Sequence, residues 1–187
     1  MNSESLANKD IVALARRSIE YYIHNREIMP ISSDIDRTLL THRAGVFVCL
    51  KKNGKLRGCI GTFEPRCSSV AEEIVKSAVQ ASFCDPRFSP LREEELNEVR
   101  LSVDILTYPE KVSGFEELDP SRYGVIVEWE EKKGLLLPDI EGVDTVEYQV
   151  DIARQKAGIP PHAPFILYRF SVERFTEPEK GKGFGHG

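Results

Sequence analysis

Arg43-Ala-Gly-Val-Phe-Val48 recurs farther along the chain as Arg122-Tyr-Gly-Val-Ile-Val127. A segment written twice confines the chain to folds that use one supersecondary unit twice. In both copies a charged turn follows, Lys51 to Lys55 and then Glu130 to Lys133. A second strand comes next, Leu56-Arg-Gly-Cys-Ile60 in one copy and Leu135-Leu-Leu-Pro138 in the other. A helix then opens on a capping pattern, Ser69-x-x-Glu72 or the looser Asp144-x-x-Glu147. Val70, Ile74 and Ala78, with Val75 and Val79 beside them, make one apolar helical stripe; Val146, Val150, Ala153 and Ala157 make the other. Gly158 with Pro160 just beyond stops the second helix. Each copy closes with a third strand: Val99, Leu101, Val103 and Ile105 alternate with polar residues, as do Ile166, Tyr168, Phe170 and Val172.

Outside the repeats the pattern predicts an N-terminal helix with Ile11, Leu14, Ala15, Ser18 and Tyr22 on one face. A short helix is expected after Asp85-Pro-Arg-Phe88, with Ser89 as cap and Pro90 at its first position. Glu110 to Ser121 reads as a linker loop, Lys180 to Gly187 as a frayed end. The fold class expected is therefore α+β: two strand-strand-helix-strand repeats, 43–107 and 122–173, sharing one largely antiparallel sheet within a single domain, 1–187.

Composition enters where it excludes function classes. A net charge of −5 argues against a protein that tracks nucleic-acid phosphates, which needs clustered Lys and Arg. The Lys51-Lys52 and Lys132-Lys133 pairs read as solvated turns. No stretch approaches the roughly 20 apolar residues of a membrane span, and the first ten residues lack the blocks of a signal peptide, so a cytoplasmic protein is expected. Cysteines at 49, 59, 67 and 84 and histidines at 24, 42, 162 and 186 show no zinc-site spacing, which argues against a structural metal. In a reducing cytosol all four cysteines are expected as free thiols. No phosphate loop, G-x-S-x-G or H-E-x-x-H pattern is present to support hydrolase chemistry.

The chemistry-bearing stretch is Leu56-Arg-Gly-Cys-Ile-Gly61. Strict strand alternation places Leu56, Gly58 and Ile60 on a core face and Arg57, Cys59 and Gly61 on the other. Cys59 is then a candidate reactive thiol, with Arg57 as the neighbouring cation that lowers its pKa. Gly58 and Gly61 give a substrate or another backbone room to approach. The competing reading is a packing cysteine on a strand crossed by a helix. At the displacement of the repeat, Leu136 stands for Arg57 and Pro138 for Cys59, so the Arg-x-Cys pair is confined to one copy. Asp85-Pro-Arg-Phe88 supplies the second candidate. Asp85 is read as a proton acceptor or orienting group, and Arg87 as a bidentate anion grip. Against that stands a plain turn, with Arg87 paired to Glu93 or Glu94 and Phe88 in the core. Arg92-Glu-Glu-Glu95 reads as a solvated helix face.

Gly54-Lys-Leu-Arg-Gly-Cys-Ile-Gly-Thr-Phe-Glu-Pro65, Asp85-Pro-Arg-Phe88, Gly134-Leu-Leu-Leu-Pro-Asp139 and Lys156-Ala-Gly-Ile159 resemble, in order, the AMMECR domain family. They look most like its prokaryotic AmmeMemoRadiSam branch. The resemblance implies an α+β fold with a duplicated unit and a barrel-like sheet, and it implies no set activity or cofactor. It associates the chain with Memo-type and radical-SAM proteins as partners. Two functions follow as expectations. One is a pocket around Arg57, Cys59, Asp85 and Arg87 that binds or modifies a small molecule or protein through a reactive thiol. The other is a non-catalytic adaptor for a Memo-type or radical-SAM protein.

Overall fold

A computed structural model describes residues 3–178; the Lys180–Gly187 tail expected as a frayed end lies outside the described residues. The chain divides into two compact units, one of residues up to 104 together with those from 174, the other of residues 105–173.

The first unit begins with α1 (Ser3–Asn25), which buries Ile11, Leu14, Ala15, Ser18 and Ile19. After the short α2 (Arg37–Thr41) come β1 (Val46–Lys52) and β2 (Lys55–Thr62), an antiparallel hairpin. Its turn, Asn53-Gly54, has positive φ at both residues, the geometry that two-residue hairpin loops favour. α3 (Val70–Phe83) starts where Ser69 Oγ accepts the Glu72 N–H at 3.3 Å. Its stripe of Val70, Ile74, Val75, Ala78 and Val79 is buried. β3 (Val99–Leu106) and β8 (Val172–Thr176) complete a four-stranded sheet in the order β2-β1-β3-β8. Val46, Val48 and Leu50 from β1 and Leu101 and Val103 from β3 are wholly buried. Sheet and helix approach closely at Gly58, where any Cβ would overlap the Ala81 carbonyl oxygen of α3.

The second unit contains β4 (Glu110–Val112), β5 (Gly124–Trp129), β6 (Lys132–Leu136), α4 (Val146–Lys156) and β7 (Ile166–Phe170). Its sheet runs β4-β7-β5-β6, with the pairings β4–β7, β5–β7 and β5–β6 all antiparallel. Val125, Val127, Val150, Ala153, Ile159 and Leu167 form its core. Gly134 of β6 lies against the Ala153 carbonyl of α4, the same close approach that Gly58 makes in the first unit.

The mixed α and β architecture is as expected, but the single shared, barrel-like sheet is not: two four-stranded sheets form and neither closes. Two misread segments account for this. The linker from Glu110 to Ser121, expected as loop, contributes the edge strand β4 and a 3-10 turn at Phe115–Glu117. The run from Ile166 to Val172, expected as one strand, breaks at Ser171 and sends β7 to one sheet and β8 to the other. Each hairpin therefore obtains its own third and fourth strands. Two local starts also differ. α4 is capped by Thr145, whose Oγ1 accepts the Tyr148 N–H at 3.3 Å, rather than by Asp144. After Asp85-Pro-Arg-Phe88 the helical turn is a 3-10 segment at Glu93–Asn97 preceded by Arg92, and Ser89 caps nothing there. Among the described residues no helix is long and apolar enough to cross a membrane.

Candidate functional site

β2 is an edge strand, and its middle holds Arg57 and Cys59. In the hairpin register Lys51 faces Leu56 and Leu50 faces Gly58, so Arg57 has no partner on β1 and forms a bulge. The bulge overturns strict alternation. Leu56 follows Lys51 to the outer face and is 41% exposed, not core. Gly58 and Ile60 turn inward opposite Leu50 and Val48. Cys59 lands directly opposite Cys49, with their Cα atoms 4.1 Å apart, and the two sulfurs form a disulfide. The expectation of four free thiols is therefore corrected: Cys67, buried, and Cys84, exposed, are the free cysteines. Burial pushes the Cys67 thiol up. Cys49 and Cys59 are each only half-buried.

The narrow pairing of Cys49 and Cys59 leaves the Cys59 N–H and C=O pointing away from β1. Both meet the turn after α3. The Cys59 N–H donates to Asp85 Oδ2 at 2.9 Å, and Arg87 Nη2 donates to the Cys59 carbonyl at 3.1 Å. Arg87 Nε and Nη2 also donate to Asp85, at 2.9 and 2.7 Å, as does the Arg87 backbone N–H at 3.1 Å. Arg87 thus pairs with Asp85, not with Glu93 or Glu94. The Arg87 guanidinium beside it, with the Cys59 and Arg87 N–H groups, holds the Asp85 carboxyl well below the usual carboxylate range, against a burial that acts the other way. Asp85 is buried, while more than half of the Arg87 side chain is exposed. The pair replaces the neighbouring strand that β2 lacks at this point.

Arg57 is spent elsewhere than on the sulfur. Its Nε and Nη2 donate to Glu95 Oε1 and Oε2 at 3.1 and 2.9 Å. Glu95 also receives Lys52 Nζ at 3.2 Å and the Arg92 N–H at 3.2 Å. These contacts, Arg57 foremost, bring the Glu95 pKa down to about 2 although burial opposes them. Glu95 is therefore a buried anchor, not part of a solvated face, and Lys52 is tied to it rather than free in a turn. Phe88 lies half-buried between the two arginines, with the Arg57 and Arg87 guanidinium carbons 6.0 and 5.5 Å from its ring centre. Gly61 sits where a Cβ would overlap the Val46 carbonyl and the Phe47 backbone. Its missing side chain serves hairpin packing.

The structure thus brings together Arg57, Gly58, Cys59, Asp85 and Arg87 at one strand edge. It adds Cys49, Glu95, Phe88 and Lys52, for which the sequence suggested only a free thiol, a solvated helix face, a core side chain and a solvated turn. Glu95 had a signal in its place three residues after Arg92, the spacing of a capping residue. Cys49 had none without the bulge. Chemically the arrangement offers a half-exposed cystine, a fixed backbone beside it, and one exposed guanidinium. Among the described residues no cluster of His, Cys, Asp and Glu could hold a metal ion.

A family model described as AMMECR1 matches residues 12–177. A protein of Thermotoga maritima is 48% identical over 166 residues, covering 88% of this chain and 95% of the relative. A protein of Clostridium acetobutylicum is 46% identical over 167 residues, but this chain spans only 36% of its length. The crystal structure of a Pyrococcus horikoshii protein, described as uncharacterized, matches with a TM-score of 0.83 at 32% identity, covering 91% of each chain.

Proposed function

Because this chain belongs to the AMMECR1 family across both of its units, we propose that its activity lies at the β2 edge, where a substrate thiol exchanges with the Cys49–Cys59 disulfide. The observation that carries this reading is the half-exposed cystine held at Cys59 by the Asp85–Arg87 pair. A thiolate on the substrate attacks Cys59 Sγ, the Cys59–substrate disulfide forms, and Cys49 leaves as thiolate. A second thiol, or Cys49 itself, then resolves the mixed disulfide. Asp85 and Arg87 are positioning residues in this scheme: they fix the Cys59 backbone and take no proton. The exposed part of Arg87 suits a carboxylate on the incoming substrate. Arg57 keeps the bulge in place through Glu95. The substrate is a small thiol or a cysteine of a protein. A Memo-type or radical-SAM partner, expected from the AmmeMemoRadiSam resemblance, is the candidate protein, in a cytoplasmic setting.

Glutathione is the direct probe. Incubating the folded Cys49→Ser/Cys84→Ser double variant, which removes the exposed free thiol, with oxidised glutathione at neutral pH is expected to yield one glutathione adduct, mapped by mass spectrometry to Cys59. Wild type treated with reduced glutathione is expected to open its cystine while still folded. A cystine that opens only in denaturant, together with a Cys59 that takes no adduct, refutes the exchange reading.

A further inference from the structure

The hairpin that carries the cystine is a cationic stretch of an acidic chain. Residues 46–62 hold Lys51, Lys52, Lys55 and Arg57 and no Asp or Glu, while the whole chain has a net charge of −5. Two of these cations are engaged. Lys52 Nζ pairs with Glu95 at 3.2 Å and with Glu98 at 2.6 Å, and Arg57 binds Glu95 through Nε and Nη2. Lys51 and Lys55 are exposed. Lys51 stands two residues along β1 from Cys49, and alternation puts both on the outer face of the hairpin. A positive charge therefore flanks the cystine on the face where its sulfurs lie.

Arg87 supplies the second observation. A guanidinium carries five N–H donors in one plane. Three are accounted for: Nε donates to Asp85 Oδ1 at 2.9 Å, and Nη2 donates to Asp85 Oδ2 at 2.7 Å and to the Cys59 carbonyl at 3.1 Å. The remaining two belong to Nη1. The fixed fork makes one of them parallel to the N–H that holds the Cys59 carbonyl. An acceptor at Nη1 therefore sits beside the backbone of the residue whose sulfur is attacked. More than half of the Arg87 side chain is exposed, whereas Asp85 is buried behind it. The Phe88 ring, 5.5 Å from the guanidinium carbon, backs the group. Held in this way before any ligand arrives, Arg87 loses little freedom on binding one.

We propose that the cystine selects anionic thiols: the substrate's carboxylate binds Arg87 Nη1 while its thiolate, drawn in past Lys51, attacks Cys59 Sγ. The inference rests on the exchange reading above and names the class of thiol it serves, a small thiol acid with its carboxylate a few bonds from the sulfur. The substrate sulfur bonds to Cys59 Sγ, the Cys49–Cys59 bond breaks, and Cys49 leaves as thiolate, so the substrate is oxidised as the cystine is reduced. Arg87 sets the preference by charge-assisted hydrogen bonds and Lys51 by attraction at longer range.

N-acetylcysteine and its neutral amide are the probes, since they differ at the carboxylate alone. Opening of the folded cystine is followed by quenching with iodoacetamide and mass mapping of Cys49 and Cys59. Each rate is divided by that thiol's rate with hydroxyethyl disulfide, which cancels differences in thiolate content and nucleophilicity. Wild type is expected to prefer the acid by about tenfold at low salt. Arg87→Gln slows both probes by loosening the Cys59 backbone, but only the loss of an anion site brings their ratio to about one. Lys51→Gln, at an exposed position, is expected to lower the preference about threefold at low salt and to leave it unchanged at about 1 M salt, where screening acts beyond about 3 Å. The wild-type ratio and Lys51→Gln decide the matter even where Arg87→Gln fails to fold. A cystine that opens equally fast with acid and amide overturns the selectivity and leaves the exchange reading standing, whereas one that opens with neither overturns both. A preference that survives Arg87→Gln, or that Lys51→Gln leaves unaltered at low salt, overturns the assignment to these residues.

Discussion

Replacing Arg57 by alanine tests whether the bulge in β2 is held by an ion pair or by packing. Glu95 is buried, and its four nitrogen partners bring its pKa from 4.5 to about 2. At about 1.4 kcal/mol for each tenfold change in proton affinity, the full set of contacts is worth about 3 kcal/mol at neutral pH. Arg57 is the largest contributor and makes two of the four hydrogen bonds, while Lys52 and the Arg92 N–H persist in the variant. The expected loss for Arg57→Ala is therefore about 2 kcal/mol at pH 7. The pH dependence follows from the direction of the shift. A carboxylate held below its ordinary range stabilises fully above that range and loses its effect as pH falls toward the folded value. The deficit of the variant should be constant between pH 7 and 5, then shrink below pH 4.5 to about 1 kcal/mol at pH 3. Urea unfolding of both proteins at pH 7, 5, 4 and 3 reads this directly. A deficit that stays the same across the series would refute the ion-pair account and transfer the effect to Arg57 packing near Phe88.

Gly58→Ala should cost about 3 kcal/mol and lower Tm by roughly 10 °C, because the new methyl meets the backbone carbonyl of Ala81, which no rotamer change can relieve. An unchanged melting curve would mean that β2 and α3 separate easily. Asp85→Asn removes a carboxylate whose folded pKa lies below its ordinary 3.8, so the stability it supplies is complete above that value and fades on acidification. The variant is expected to be about 2 kcal/mol less stable at pH 7, to converge with wild type in acid, and to exchange its Cys59 amide about tenfold faster. Unaltered exchange at Cys59 would remove Asp85 from the clamp.

Periodicity made much of each unit legible. The stripes at Val70, Ile74 and Ala78 and at Val150 and Ala153 are buried because helices covering one sheet face have one way to hide them. What periodicity missed was strand allegiance. Ile166 to Val172 alternates without interruption in sequence, yet Ser171 and Thr107 hold each other across the break, and the chain changes sheets there. Alternation reports which face a residue takes and carries no information about which sheet it joins. β4 was invisible for another reason. Three residues, Glu110-Lys111-Val112, with a single buried side chain give a period-two pattern nothing to repeat.

At the site, one inserted residue separates what the sequence discloses from what it conceals. The Asn53-Gly54 turn sets Lys52 against Lys55 and Lys51 against Leu56, and continuing that register would put Leu50 opposite Arg57 and Cys49 opposite Gly58. In that register Cys59 faces Val48 and the two sulfurs lie on opposite faces of the hairpin. The bulge at Arg57 advances β2 by one residue. Gly58 then meets Leu50 on the core side, where α3 needs a residue without a side chain, and Cys59 meets Cys49 on the outer side. Nothing local to Leu56-Arg-Gly-Cys-Ile-Gly61 announces the bulge, because what stabilises it is remote in sequence: Glu95 takes the extra arginine, and Asp85 with Arg87 takes the backbone two residues on. The motif and the Asp85–Phe88 turn are therefore parts of one device. A substitution in the turn should be felt at the cystine through the strand, even though neither turn side chain bonds to a sulfur.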